Sequence, residues 1–233
     1  MNFTIMNFDN LLSTNSYLKE RTANFSEGQV ICAKEQSGGR GRLGREFTSP
    51  KSGLYFSVLL CPKTMEESLF LPIIAGIAVA RGIHSIIGVL PLLKWPNDVL
   101  LGGKKICGIL AEAIDNRVVL GIGVNIGASR SYFDSLDLFH VSSILAQTGR
   151  EPDRHKLLDA ILSELDHLLP TPHEEVLSIY RDLCMTLGRE ITASGDICGI
   201  AKDITLNGEL VIEDKHKNVF MINSGEVSIS NIY

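Results

Sequence analysis

Residues 66 to 87, Glu-Glu-Ser-Leu-Phe-Leu-Pro-Ile-Ile-Ala-Gly-Ile-Ala-Val-Ala-Arg-Gly-Ile-His-Ser-Ile-Ile, are apolar around most of the circumference of a helix. A helix with no broad polar face needs cover on several sides, which places it against a sheet. Short runs of strand character supply that sheet: Phe3 to Leu12 with its turn, Gln29 to Ala33, Gly53 to Cys61, Leu90 to Lys94, Lys105 to Glu112 and Arg117 to Asn125. Asn15 to Arg21 reads as a short helix between the first two. Strands outnumber helices, so the expected sheet is mixed, with a helix across one face. The most apolar stretch, Leu69 to Ala80, contains Pro72 and stops at Arg81. At about 12 residues it falls short of the ~20 that a membrane helix requires, so it is read as core.

Beyond a polar stretch, Ala128 to Arg150, Pro152-Asp153 opens a helix to Leu169 with leucines at helical spacing, ended by Pro170 and Pro172. A second helix, His173 to Met185, leads to Gly188, where the pattern changes to short strands: Glu190 to Ala193, Ile197 to Asp203, Glu209 to Glu213, Val219 to Ile222 and Glu226 to Ser230. Asn207-Gly208 is a hairpin turn signal between two of them. The expected organisation is an α+β domain over residues 1–185 and a small β-barrel over 186–233.

The chain has 233 residues and a formal net charge of −5, which argues against wholesale nucleic-acid binding because that needs a broad basic face. Five cysteines without C-x-x-C spacing fit reduced thiols in a cytoplasmic protein. No two histidines, nor a histidine and a cysteine, stand at zinc-site spacing. The N-terminal Met-Asn-Phe-Thr-Ile lacks the basic patch and apolar core of a secretion signal.

Residues 36 to 47, Gln-Ser-Gly-Gly-Arg-Gly-Arg-Leu-Gly-Arg-Glu-Phe, place four glycines and three arginines in twelve positions. Glycine lets a loop approach a ligand closely, and each arginine presents a planar fork for phosphate or carboxylate oxygens, so the guest is an anion. Gly39-Arg-Gly41-Arg-Leu-Gly44 matches G-x-G-x-x-G, but Thr48 to Gly53 is turn material leading to a strand. The dinucleotide fingerprint requires a helix there, so that reading is set aside. Lys94-Trp95-Pro96-Asn97-Asp98 is ordinary turn chemistry on its own. Across the Gly102-Gly103 turn stands Lys104-Lys105, and a hairpin would bring Lys94, Asp98 and Lys105 together. One carboxylate with substrate phosphates is a usual magnesium set. Ser13-Thr14-Asn15 reads both as a helix cap and as a ligand contact.

In order, Ser13-Thr14-Asn15, Gln36, Gly39 to Arg42, Gly44-Arg45, Thr48-Ser49-Pro50, Lys94 to Asp98, Lys105 to Leu110, Gly121 to Asn125 and Gly225 to Ser228 resemble the biotin protein ligases through nearly the whole chain. The resemblance implies a class II synthetase-like biotin/lipoate ligase fold followed by an SH3-like barrel. It implies biotin held by Ser13, Thr14, Asn15, Gln36, Gly39, Arg40, Gly41, Arg42, Lys105 and Gly108. ATP would meet Arg40, Arg42, Arg45, Phe47, Lys94, Asn97 and Asn125, with Asp98 on Mg²⁺. Arg40, Lys94, Asp98 and Lys105 would carry the chemistry, and the partner would be the biotin carrier domain of a carboxylase. A homodimer is compatible with that reading; a membrane or nucleic-acid partner is not. Phe47 stands where tryptophan is usual in the family, and Ser37-Gly38 where Thr-Ala is more frequent. The alternatives are a lipoate or octanoate ligase, a noncatalytic nucleotide-binding module, and a biotin-sensing repressor, whose helix-turn-helix finds no room before the first strand.

Overall fold

The structure is a computed structural model that describes residues 1–195, 197–223 and 225–229, Met65 by its backbone alone. Twelve strands and six helices follow one another among these residues. They are β1 (Thr4–Leu11), α1 (Thr14–Lys19), β2 (Gln29–Gln36), β3 (Gly53–Leu60), α2 (Met65–Ile87), β4 (Leu92–Lys94), β5 (Asp98–Leu101), β6 (Lys104–Ile114) and β7 (Arg117–Asn125). Then come α3 (Arg130–Asp134), α4 (Ile144–Thr148), α5 (Arg154–Leu168), α6 (His173–Leu183), β8 (Glu190–Ala193), β9 (Ile197–Ile204), β10 (Leu210–Glu213), β11 (Val219–Ile222) and β12 (Val227–Ile229). The predicted strand Glu226 to Ser230 is shorter at its start, and its last residue lies outside the described residues.

Seven strands form one sheet in the order β1-β2-β3-β7-β6-β5-β4. β1 runs parallel to β2 and every other neighbour is antiparallel, so the sheet is mixed as expected. The second, five-stranded sheet is antiparallel in the order β11-β10-β9-β8-β12, the small SH3-like barrel at the C-terminal end. The Asn207-Gly208 turn joins β9 to β10 with Gly208 at φ 80°, a value that glycine reaches without a Cβ penalty.

α2 crosses the sheet and packs under α5, its Phe70, Ile77, Ala78, Ile83 and neighbours fully buried with Leu157, Ile161 and Leu165. Thr64 caps its first turn by accepting from Glu67 N, and Gly88 ends it at φ 74°. The expectation that length excludes a membrane span is corrected here. The stretch from Leu69 belongs to a helix of 23 residues, long and apolar enough by composition to cross a bilayer. What makes it a core helix is burial, with 72% of its most apolar window inside the protein.

Three elements escape a reading by periodicity. β5 is four residues long and hides in the turn chemistry around Pro96-Asn97. α3 and α4, five residues each, lie in the stretch read only as polar, capped by Ser129 and Ser143. Pieces that short are held by their caps and neighbours rather than by propensity.

Candidate active site

The cavity opens on one face of the large sheet, with a volume of about 570 Å³ and walls drawn from both sheets. That lies within the usual size range of small-molecule sites. Its floor is β6 and β7, where Gly108, Gly121 and Gly123 leave the surface bare. The reason for glycine is visible at two places. A Cβ on Gly121 would fall 2.1 Å from Asn15 Oδ1, and one on Gly123 would fall 2.6 Å from the Phe47 ring, which also lies over Gly108.

At one end stand the polar residues of α1 and β2. Ser13 caps α1, its Oγ accepting from Ser16 N. Thr14 N donates to Gln36 Oε1 at 2.8 Å, and the Thr14 hydroxyl lies 3.1 Å from the same oxygen. Gln36 Nε2 donates to Ser49 Oγ at 3.0 Å, and Ser49 donates to Phe47 O at 2.8 Å. Asn15 Nδ2 donates to Leu110 O at 3.3 Å and to Glu112 Oε2 at 2.8 Å. Thr14 and Asn15 are buried, so each polar atom there has been paired rather than left to solvent.

The glycine and arginine segment is a strap folded on itself. Gly41 N donates to Arg45 O, Phe47 N donates to Gly39 O, and the backbones of Arg40 and Glu46 pair as an isolated antiparallel β-bridge. Residues 42–44 form one 3-10 turn, with Leu43 at φ 56° exposed at the tip. No longer helix follows, which agrees with setting aside the dinucleotide fingerprint. The three arginines diverge. Arg40 donates to Ser16 Oγ on α1. Arg42 reaches across the cavity and donates to Asn97 Oδ1 at 3.3 Å. Arg45 pairs with Glu226 of the segment before β12. Burial pushes the Arg42 pKa down, opposed by the charges of Asp98 and Glu226.

The opposite wall is the β4-β5-β6 meander. Lys94 faces Asp98 in the β4-β5 register, and Leu100 faces Lys105 in the β5-β6 register beside a bulge. The Lys105 side chain runs back to bring Nζ within 2.6 Å of Asp98 Oδ1. The contact lies off the line of a hydrogen bond, so this buried carboxylate oxygen keeps no aligned donor. Lys94 is 7% exposed, and burial lowers its pKa below that of an ordinary lysine, with Asp98 opposing and Lys105 adding to the shift. Trp95 fixes this turn from behind: its Nε1 donates to Gly208 O and its N to Thr186 Oγ1. Asn97 Nδ2 donates to Ile109 O, and Asn125 Nδ2 to Ser142 O.

The structure therefore gathers Ser13, Thr14, Asn15, Gln36, Arg40, Gly41, Arg42, Arg45, Phe47, Lys94, Asn97, Asp98, Lys105, Gly108 and Asn125 around one cavity. Gly39 does not line it; it closes the strap, where a Cβ would fall 2.3 Å from Phe47 O. His140 and Glu226 line the cavity without an assigned role in the sequence, and Ser57 stands behind its wall, bonded to Thr14 and Asn15. Ser57 leaves a signal, a small hydroxyl inside the apolar run Gly53 to Leu60. His140 leaves none, because it enters through backbone bonds between its segment and Lys105.

Among the described residues no cluster of three acidic, histidine or cysteine side chains could hold a metal by itself. Asp98, with one unaligned oxygen, fits a cation only when substrate phosphates complete the shell.

A bare sheet floor, an arginine-bearing strap and the edge of the small barrel thus enclose one cavity. Residues 8–129 match the biotin/lipoate A/B protein ligase family. The chain is 31% identical to the biotin–[acetyl-CoA-carboxylase] ligase of Mycobacterium tuberculosis over 92% of its length and 85% of that protein. It is 28% identical to the bifunctional ligase/repressor BirA of Escherichia coli, over 86% of this chain and 66% of that one. The biotin protein ligase from Aquifex aeolicus, solved in complex with biotin and ATP, superposes with a TM-score of 0.87 at 31% identity, covering 97% of this chain and 98% of that one. This chain belongs to the biotin/lipoate A/B protein ligase family.

Proposed function

We propose that the protein joins biotin to AMP and passes the biotinyl group to a lysine of a carboxylase's biotin carrier domain. The observation that carries the reading is the meeting of the arginine strap with the Lys105–Asp98 pair across one cavity whose far end is lined by Ser13, Thr14, Asn15 and Gln36. Biotin's ring lies at that far end, in reach of Ser13, Thr14, Asn15, Gln36, Gly41 and Gly108, and its carboxylate lies toward Lys105 and Arg40 to Arg42.

In the first step a biotin carboxylate oxygen attacks the α-phosphorus of ATP, the bond to the β-phosphate oxygen breaks, and pyrophosphate leaves. Negative charge gathers on the phosphoryl oxygens, and Arg40, Arg42, Lys94 and Lys105 lower its cost as positioned cations. Arg45, Phe47, Asn97 and Asn125 take the nucleotide side, Phe47 with the flat face that a purine can cover. Asp98 is the carboxylate that would share a Mg²⁺ ion carried by the phosphates, and that ion would offset their negative charge. In the second step the carrier's neutral ε-amine attacks the mixed anhydride, and AMP leaves as the amide forms. Until then the strap holds the anhydride away from water.

Residues 1–185 are the catalytic unit in this reading and 186–233 the barrel, which contributes Glu226 to the strap and Gly208 to Trp95. The free thiols of Cys32, Cys61, Cys107, Cys184 and Cys198 suit the reducing cytoplasm. Neither step calls for a DNA contact or for a second subunit.

Incubation with ATP, magnesium and either biotin or lipoate, followed by mass spectrometry, is expected to give biotinyl-5′-AMP alone. Lipoyl-AMP as the main product would transfer the assignment to the lipoate ligases. The lowered Lys94 pKa has its own consequence. Lys94 loses its proton at a lower pH than an ordinary lysine does, so kcat/KM for ATP is expected to fall on the alkaline side earlier than the usual lysine range. Arg stays protonated throughout, so Lys94→Arg should move that limb upward or remove it. An identical limb in both proteins would show that another group titrates.

A further inference from the structure

Behind the polar end of the cavity lie two side chains that do not line it. Ser57 on β3 is fully buried, with Oγ 2.6 Å from Asn15 Oδ1 and 2.7 Å from Thr14 Oγ1. Glu112 on β6 accepts from Asn15 Nδ2 and from Lys19 Nζ, at 2.8 and 2.6 Å. Burial works against the Glu112 charge, but the Lys19 and Asn15 hydrogen bonds outweigh it and keep its pKa below the ordinary value.

Donor and acceptor counting gives this cluster a direction. Glu112 and Leu110 O can only accept, so they claim both Asn15 amide protons and turn Oδ1 toward Ser57. A carbonyl oxygen cannot donate, so the single Ser57 proton goes to Asn15 Oδ1. The 2.7 Å contact between Ser57 and Thr14 then carries the Thr14 proton. At the other side, Phe47 O claims the Ser49 proton, Ser49 Oγ takes a Gln36 amide proton, and Gln36 Oε1 is left facing Thr14. Thr14 Oγ1 lies within hydrogen-bond reach of Gln36 Oε1 at 3.1 Å, longer than its 2.7 Å approach to Ser57, so with the Thr14 proton held by Ser57 each of these two oxygens keeps a lone pair that a ligand N–H can use.

We infer that Ser57 and Glu112 are positioning residues that fix the proton order of this end of the cavity, so that Thr14 and Gln36 present acceptors to N–H groups of the ligand. The inference rests on the biotin reading, since biotin's cyclic urea carries two N–H donors and a straight fatty acid carries none. Neither residue touches the ligand; their effect passes through Asn15 and Thr14.

Titration calorimetry of the full chain with biotin, desthiobiotin and octanoate tests it. Ser57→Ala removes the donor to Asn15 and the acceptor for Thr14. It is expected to weaken the two urea ligands about tenfold, the usual cost of unpairing one buried polar group, while octanoate binding and kcat stay level. Glu112→Ala should do the same and Glu112→Gln, which keeps an acceptor toward Asn15, should recover most of the loss. Folded Ser57→Ala that binds biotin as wild type does, or that loses all three ligands equally, overturns the inference. If Ser57→Ala does not fold, the Glu112 pair decides, and equal biotin affinity in Ala, Gln and wild type overturns it. Wild-type protein that binds neither urea ligand would instead remove the biotin reading itself.

Discussion

Lys105→Ala is expected to slow biotinyl-adenylate formation by at least ~2 kcal/mol of transition-state free energy, roughly 30-fold in kcat/KM, as with loss of an oxyanion donor. Pyrophosphate exchange is the measurement. Two losses combine in this variant. A cation that would face the biotin carboxylate and the phosphates disappears, and Asp98, 2.6 Å from Lys105 Nζ and mostly buried, is left without that partner. The bare carboxylate then repels the anions that the site must bring together. The two contributions separate in a double-mutant cycle: Lys105→Ala with Asp98→Asn should recover part of the loss if repulsion matters. Exchange at the wild-type rate in the single variant would remove Lys105 from the chemistry.

Arg42→Gly is expected to make the adenylate and lose it. Of the three strap arginines, Arg42 alone crosses the cavity to the β4-β5 turn, through Asn97, and burial makes that contact stronger than a surface one. Loss of one charge-assisted hydrogen bond costs about 1.5–3 kcal/mol, so adenylate escape should rise roughly 10- to 100-fold. The readout is biotinylation of an unrelated bystander protein, which should increase while carrier labelling declines. Arg40→Gly serves as the comparison, because Arg40 ties the strap to Ser16 on α1 rather than across the opening. Retention of adenylate equal to wild type in the Arg42 variant would end the view of the strap as a clamp.

The site was legible in the sequence to the extent that its chemistry is concentrated in short segments. The strap, the Lys94 to Asp98 turn and Ser13 to Asn15 each carry residue types that need a reason to be together. Their partners were not legible where the contact is long-range or made by backbone. Ser57 meets Asn15 across 42 positions and Trp95 meets Gly208 across 113. His140 enters by the bond from Lys105 N to its carbonyl, which any residue type could supply. The same limit explains the missing pieces of fold: β5 and the helices α3 and α4 are too short for a period to show.

By itself, the sequence determined that a long apolar helix must lie on a mixed sheet, that a small β unit follows, and that one strap concentrates glycine and arginine, residue types suited to anions. Periodicity and local side-chain chemistry are properties of neighbours in the chain, so they are readable without coordinates. Only the tertiary structure decided which arginine spans the cavity, that Lys105 answers Asp98, that Glu226 and Gly208 of the barrel brace the strap and the Trp95 turn, and that Ser57 and Glu112 stand behind Thr14 and Asn15. Those depend on strand order and register, which bring distant segments within hydrogen-bonding reach and which no local pattern encodes.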